Sequence, residues 1–369
     1  MHRNGLRAAL ALEDGFVIEG RGFGSPGLVT GEVVFNTGMV GYTESITDPS
    51  YWGQILIQTY PLIGNYGVSR DHFQSDRPKI RGFVVHELCK YPSHWSCELT
   101  LDEWLRKEGV PGIEQVDTRM LTKRIRTKGT MLGALQVSHK PIDLDALKKI
   151  AKEAEDPNKR DLASEVSCSR DYWIGDGDLR VALIDCGVKN SIIKYLMEIS
   201  HFRLHILPIN SDIERILSGD IRGIVISNGP GDPSVLRYLI HNVRKLDQMG
   251  YPLMGICLGL QIISLALGGF TYKLKFGHRG QNHPVKTVDG RAFITSQNHG
   301  YAVDESSIDS SELQVTMWNA NDGTIEGIKD RNNRIYAVQF HPEASPGPLD
   351  TLHVFKIFRK IVEEADKIG

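Results

Sequence analysis

The chain has 369 residues, 41% of them apolar and 24% charged, and a formal net charge of −2. That length accommodates two domains, and the composition is that of an ordinary globular protein. The balanced charge carries no nucleic-acid footprint, and no stretch approaches the roughly 18 apolar residues of a membrane span.

The N-terminus, Met1-His2-Arg3-Asn4-Gly5-Leu6-Arg7, is followed by an apolar run too short for a signal peptide before Glu13-Asp14 interrupts it. Residues 1–140 read as a β-rich domain. Ala8–Leu12 and Phe16–Ile18 flank Glu13-Asp14-Gly15, a hairpin signal. Gly31–Phe35 and Gln54–Gln58 are further strands, as is Gly82–His86. Leu101–Glu108 and Thr118–Lys128 are helical, the second with Asp117 and Thr118 as candidate caps and stopped at Gly129.

The five cysteines, Cys89, Cys97, Cys168, Cys186 and Cys257, form no CxxC pair. They read as free thiols of a reducing compartment, so a cytoplasmic location is expected. His86, Cys89, His94 and Cys97 crowd twelve residues with metal-type ligands. The simpler expectation is structural: a strand ending at His86, a turn at Tyr91-Pro92-Ser93, and buried apolar roles for Cys89 and Trp95. No metal is expected on this chain.

Residues 141–178 change character. One amphipathic helix, Ile142–Glu155, precedes the polar, turn-rich segments 156–160 and 175–178, which suits an inter-domain linker. From 179 to 369 strands and helices alternate. Arg180–Asp185, Arg203–Leu207, Gly223–Ser227 and Leu253–Ile256 are strands; Lys189–Ile199, Pro233–Met249 and Leu258–Leu267 are helices. Such alternation implies an open, mostly parallel sheet with flanking helices. After residue 284 the spacing shortens to β segments at 293–296, 314–318, 324–328 and 335–339, before a closing helix, Asp350–Ala365.

Chemistry concentrates at Gly255-Ile256-Cys257-Leu258-Gly259-Leu260-Gln261. A cysteine between a short apolar strand and a helix, flanked by glycines, has the pattern of a nucleophile elbow. A helix N-terminus with a nearby imidazolium favours the thiolate. His341-Pro342-Glu343, 84 residues beyond the cysteine, supplies a base at a strand end and a carboxylate to fix its tautomer. Ser227-Asn228-Gly229-Pro230-Gly231-Asp232 is a second glycine turn after a strand. The N–H groups of Gly229 and Leu258 are candidates for holding an oxyanion, about 3–4 kcal/mol each. Together these predict covalent acyl transfer through a thioester. Lys275–Gly280 and Gln297–Tyr301 read as polar loops near the pocket. The chain has no GxxxxGK[ST] phosphate loop.

The elbow, the glycine–proline turn and His341-Pro342-Glu343 resemble those of class I, triad-type glutamine amidotransferases. Over nearly its whole length the chain resembles something narrower, the small, glutamine-hydrolysing subunit of carbamoyl-phosphate synthase. Gly31–Glu44, Thr47–Tyr51 and Tyr60–Gly67 carry that resemblance in the first half. Asp117-Thr118-Arg119, Lys275–His278 and Pro342–Pro348 carry it elsewhere. The resemblance implies Cys257 as nucleophile, His341 as general base and acid, and Glu343 as its orienting partner. It implies L-glutamine binding by Ser50, Gly229, Gly231, Leu258, Gln261, Asn298, Gly300 and Tyr301. It further implies a large-subunit partner that uses ATP with Mg and bicarbonate to make carbamoyl phosphate for arginine and pyrimidine biosynthesis. No cofactor is then expected on this chain, and the nucleotide-binding chemistry lies on the partner. Two departures stand out: Leu260 where a polar residue is usual, and Tyr301 where phenylalanine is common. A non-catalytic scaffold and another cysteine hydrolase on the same fold, such as a γ-glutamyl peptidase, are the competing expectations.

Overall fold

A computed structural model describes residues 5–366. The extreme N-terminus considered for a signal sequence, residues 1–4, lies outside them. The chain divides into two compact units, one ending at Pro157 and the other beginning at Asn158.

The first unit is a closed barrel. Its strands follow the order Arg7–Leu12, Val17–Gly24, Pro111–Glu114, Gly82–Val84, Gln54–Gln58, Gly27–Asn36 and Met131–Ser138. Closure leaves no unpaired sheet edge in the barrel. The predicted hairpin is present, with Leu10 opposite Ile18 and Ala11 opposite Val17. Gly15 supplies the left-handed turn residue at φ 85°. The helices fall where expected, Leu101–Lys107 and Thr118–Lys128. Thr100 and Glu103 form a reciprocal capping box on the first, and the Asp117 side chain accepts from the Met120 N–H on the second.

The segment read as a linker is divided between the units. Leu144–Lys152 is helical, and its Leu147 and Ala151 are buried against Ala9, Ala11 and Ala134 of the barrel wall. Tyr172–Ile174 instead pairs antiparallel with Phe202–Pro208 in the second unit. Small barrel residues leave room for a helix there, which amphipathic periodicity alone does not reveal. The region around His86 also differs from expectation. The strand stops at Val84, His86 is exposed, and Trp95 is 91% exposed rather than buried.

The second unit is built on a ten-stranded sheet. Its parallel centre runs Phe202–Pro208, Leu179–Asp185, Gly223–Ile226, Leu253–Ile256 and Ile335–Val338. An antiparallel extension continues through Ile325–Asp330, Leu313–Asn319, Thr271–Thr287 and Ala292–Val303. Gly223–Ile226 and Leu253–Ile256 are buried along their length and Leu179–Asp185 from Val181 onward, as strands covered on both faces must be. Lys275–Gly280 and Gln297–Tyr301 are not loops. They pair across the two long strands, His278 opposite His299 and Arg279 opposite Asn298, with a bulge between Lys273 and His278. A buried polar strand pair lacks the apolar alternation by which strands are recognised in a sequence.

The turn after Leu253–Ile256 depends on absent side chains. A Cβ on Gly255 would stand 2.5 Å from the Gly259 carbonyl carbon, and one on Gly259 would stand 2.1 Å from the Ile226 carbonyl oxygen. Both contacts are with backbone, so neither relaxes cheaply. Gly259→Ala is expected to destabilise the second unit by about 1–3 kcal/mol. Hydrogen exchange of Gly223–Ile226 measures this, and unchanged protection there would show that the turn absorbs a methyl group.

Candidate active site

Cys257 is the residue between the strand Leu253–Ile256 and the helix Leu258–Ala266. Its backbone has φ 55° and ψ −102°, a conformation L-residues rarely adopt. The helix starts directly on it, the N–H groups of Leu260 and Gln261 lying 3.1 and 3.4 Å from its carbonyl. The strained turn is the elbow read from the glycine spacing, and it places the thiol at the carboxyl end of a central strand.

His341 arrives through the neighbouring strand. Leu253–Ile256 and Ile335–Val338 are parallel and in register, Ile256 beside Val338. The Cys257 N–H donates to the Val338 carbonyl at 2.8 Å. Three residues further on, the His341 N–H donates to the Ser296 carbonyl at 2.9 Å. His341 and Glu343 are 1% and 0% exposed, and the His341 Nδ1 lies 2.6 Å from the Glu343 Oε1. The His341 Nε2 has no partner of normal hydrogen-bond geometry. The Cys257 thiol is nevertheless close enough to favour the charged imidazole.

A residue that sequence reasoning missed completes this array. Lys189, at the start of the helix Asn190–Glu198, is 2% exposed. Its Nζ is 2.8 Å from the Glu343 Oε1 and donates to the Ala344 carbonyl at 2.6 Å. Its own N–H donates to the Asn228 side chain at 3.2 Å. Burial opposes ionisation of Glu343, but Lys189 first and then His341 offset it, so the carboxyl is held below its usual range. Burial, the largest influence, likewise opposes the imidazolium and Lys189 adds to it, but Glu343 and Cys257 together outweigh them and raise His341. The lysine follows Asp185-Cys186-Gly187-Val188 at a strand end, but no spacing in the sequence ties it to a glutamate 154 positions later.

The two glycine turns converge. A Cβ on Gly229 would lie 2.8 Å from the Leu258 side chain and 2.2 Å from the Cys186 carbonyl oxygen. Gly229 thus packs directly on the residue after Cys257. Leu258 is the first residue of its helix, where N–H groups lack intrahelical partners.

Of the other expected binding residues, Asn298, Gly300 and Tyr301 lie on the strand Ala292–Val303. The Asn298 carbonyl accepts from the Cys257 thiol at 3.7 Å. Gln261, one helical turn beyond the cysteine, donates through Nε2 to the Tyr301 carbonyl at 2.8 Å. Gly231 takes φ 91° in the turn after Gly223–Ile226, and its Cβ position faces Leu162. Ser50 belongs to the first unit, where it is 7% exposed in the turn Pro49–Tyr51 and its N–H donates to the Asp48 side chain at 2.9 Å.

Among the described residues, His278, His299 and Glu326 bring three metal-type donors within 4.8 Å of one another. Both His299 nitrogens face oxygens, of Tyr301 at 2.7 Å and Gln297 at 2.8 Å. That leaves the His278 Nδ1 and the Glu326 Oε2 open, fewer than the three or four protein ligands of a zinc site. Burial pushes Glu326 up to about 7, despite hydrogen bonds from Asn319 and Gln297, so it titrates near neutrality. The earlier candidate set is otherwise engaged: His86 with the Val116 carbonyl, His94 with Ser96 and Cys97 with the Leu99 carbonyl.

The buried charges predict a pH response. Glu343 titrates lower in the folded than in the unfolded chain, so its contribution is complete above the ordinary value of 4.5 and is lost as pH falls towards the folded-state value. His341 titrates higher when folded, so its contribution is present below 6.5 and is lost as pH rises through the folded-state value. Lys189→Met removes one partner of a buried pair and is expected to cost about 3–5 kcal/mol. It also brings Glu343 nearer its ordinary value, so less stability is lost on acidification. Denaturant titrations across pH test both effects; a variant with the parent's stability and acid limb would show that the pair contributes nothing.

Two family models match the chain: carbamoyl-phosphate synthase small chain, CPSase domain, over residues 10–135, and glutamine amidotransferase class-I over residues 182–361. The carbamoyl phosphate synthase small chains of Methanopyrus kandleri and Archaeoglobus fulgidus are each 48% identical to it. The first alignment covers 97% of this chain and 100% of the relative, the second 97% and 99%. The pyrimidine-specific small chain of Bacillus subtilis is 45% identical, over 99% of this chain and 98% of its own length. These matches span both units, so the chain belongs to the carbamoyl phosphate synthase small chain family.

Proposed function

We propose that the chain is the glutaminase subunit of a carbamoyl phosphate synthase, hydrolysing L-glutamine to glutamate and ammonia. The observation that carries this reading is the assembly of Cys257, His341 and Glu343 at the ends of two adjacent parallel strands, in a chain of this family.

Glu343 fixes the His341 Nδ1–H and turns Nε2 towards the cysteine. The Cys257 thiolate attacks the glutamine side-chain amide carbon, forming the C–S bond and placing negative charge on the former carbonyl oxygen. The backbone N–H groups of Leu258 and Gly229 are the donors for that oxygen. As the tetrahedral intermediate collapses, the C–N bond breaks and His341 gives its proton to the departing nitrogen, releasing ammonia. Water then attacks the thioester while His341 takes its proton. Cleavage of the C–S bond releases glutamate and restores the thiolate. Ser50, Gly231, Gln261, Asn298, Gly300 and Tyr301 complete the glutamine-binding set in this reading.

The ammonia serves a large-subunit partner, which supplies ATP, Mg and bicarbonate chemistry and forms carbamoyl phosphate. This chain then needs no cofactor of its own. Among its described residues no helix is long and apolar enough to cross a membrane, which agrees with the proposed cytoplasmic location. Ammonium is not a nucleophile, so direct transfer of ammonia to the partner suits the chemistry.

The test is glutamate release from glutamine by the purified chain, with and without the cognate large subunit, beside Cys257→Ala. The expected result is release that rises with the partner and disappears in the variant. Hydrolysis that survives in Cys257→Ala would overturn the nucleophile assignment, and none by the parent chain under either condition would favour a scaffold role.

A further inference from the structure

Gln339 lies between the strand Ile335–Val338 and His341 and is completely buried. Its side-chain Nε2 is 3.6 Å from the Cys257 sulphur. Its Oε1 accepts from the Gln261 Nε2 at 3.1 Å. Its backbone N–H donates to the Glu326 carbonyl at 2.9 Å, which pins the residue to the neighbouring strand. We propose that Gln339 is a further catalytic residue of the proposed glutaminase, its amide N–H holding the Cys257 sulphur in the thiolate state. This rests on Cys257 being the nucleophile.

The direction of the amide is determined by chemistry. An amide side chain has a donating and an accepting end that shape alone does not distinguish. The Tyr301 backbone carbonyl can only accept, so Gln261 must present its NH2 group to it. The other N–H of that group reaches the Gln339 Oε1. Gln339 therefore turns its NH2 group to the sulphur. The reversed orientation would set NH2 against NH2 and a carbonyl oxygen against the thiol.

The two hydrogen bonds at the sulphur respond oppositely to ionisation. The Asn298 carbonyl accepts from the thiol at 3.7 Å, and loses that bond when the proton leaves. The Gln339 amide donates to the sulphur in either state and binds the anion more strongly. It favours the attacking thiolate at the start of the cycle and the departing thiolate when the thioester is hydrolysed. A buried chain supports it from behind. Gln297 donates to the Glu326 Oε1 at 2.8 Å, and His299 lies between the Gln297 Oε1 and the Tyr301 carbonyl. The Tyr301 carbonyl, from which the orientation of Gln261 and so of Gln339 derives, belongs to the strand Ala292–Val303, where Tyr301 pairs with Lys273.

The full-length chain tests this. The rate of Cys257 alkylation by iodoacetamide, followed by mass spectrometry of its peptide, is measured against pH in the parent, Gln339→Met and Gln339→Glu. Gln339→Met keeps length and volume but removes the N–H. It is expected to move the half-maximal alkylation pH up by about one unit and to lower kcat/KM for glutamine about tenfold at neutral pH. Gln339→Glu, which sets a carboxylate against the sulphur, is expected to move it further. A purely structural role would lower stability and leave the alkylation profile in place; coincident profiles overturn the proposal. A measurement on the unsubstituted chain guards against variants that fail to fold. There the Gln339 side-chain amide proton resonance is expected to shift with the same pH midpoint as the thiolate ultraviolet absorbance, and a resonance indifferent to that transition overturns the proposal. Failure of the nucleophile assignment has a different signature, glutaminase activity that survives Cys257→Ala.

Discussion

Two parallel strands, Leu253–Ile256 and Ile335–Val338, lie side by side with Ile256 opposite Val338. Everything chemical in the second unit depends on that register. Because it pairs the last residues of both strands, whatever follows each emerges at the same sheet end. One strand delivers Cys257 and the other Gln339, His341 and Glu343. The hydrogen bond from the Cys257 N–H to the Val338 carbonyl locks the two exits together. A slip of one residue would turn every side chain to the opposite face.

The strand on the other side of Leu253–Ile256, Gly223–Ile226, contributes by steric exclusion. Gly259 touches the Ile226 backbone, and Gly229 touches Leu258 and Cys186. The first contact fixes where the helix after Cys257 begins. The second brings the glycine turn against the backbone N–H beside the thiol. Strain at Cys257, with φ 55° and ψ −102°, persists because packing on both sides leaves no room to relax.

Electrostatics then select the protonation states. Lys189, His341 and Glu343 are almost completely buried, so each charge needs a partner. Glu343 answers both Lys189 and His341 through one oxygen, and the cysteine lies beyond the imidazole. A lysine from the first βα turn, a histidine pair from the fifth parallel strand and the elbow between them form one charge network. The polar strand pair opposite, carrying Gln297, Asn298, His299 and Tyr301, closes the network with hydrogen bonds that satisfy its buried amides.

The amino-acid sequence by itself marked out Cys257, His341 and Glu343 as the candidate reaction centre. Glycines on either side of Cys257 and the tight His341-Pro342-Glu343 spacing are local signals, since an elbow and a strand-end triad each need particular residues a few positions apart. Most helices and central strands were legible for the same reason, their apolar periodicities and caps being local. The tertiary structure alone decided the rest. Lys189 reaches Glu343 across 154 positions of chain, and no pattern short of the folded sheet links them. Thr271–Thr287 and the part of Ala292–Val303 beyond Ser296 escaped notice because their inward faces carry amides and imidazoles, which become strand residues only when they satisfy one another across the register. The helix Leu144–Lys152 looked like linker because alanines on the barrel, far away in sequence, create the groove it fills. Local rules assign a residue's chemistry; the pairing of distant strands decides which residues meet.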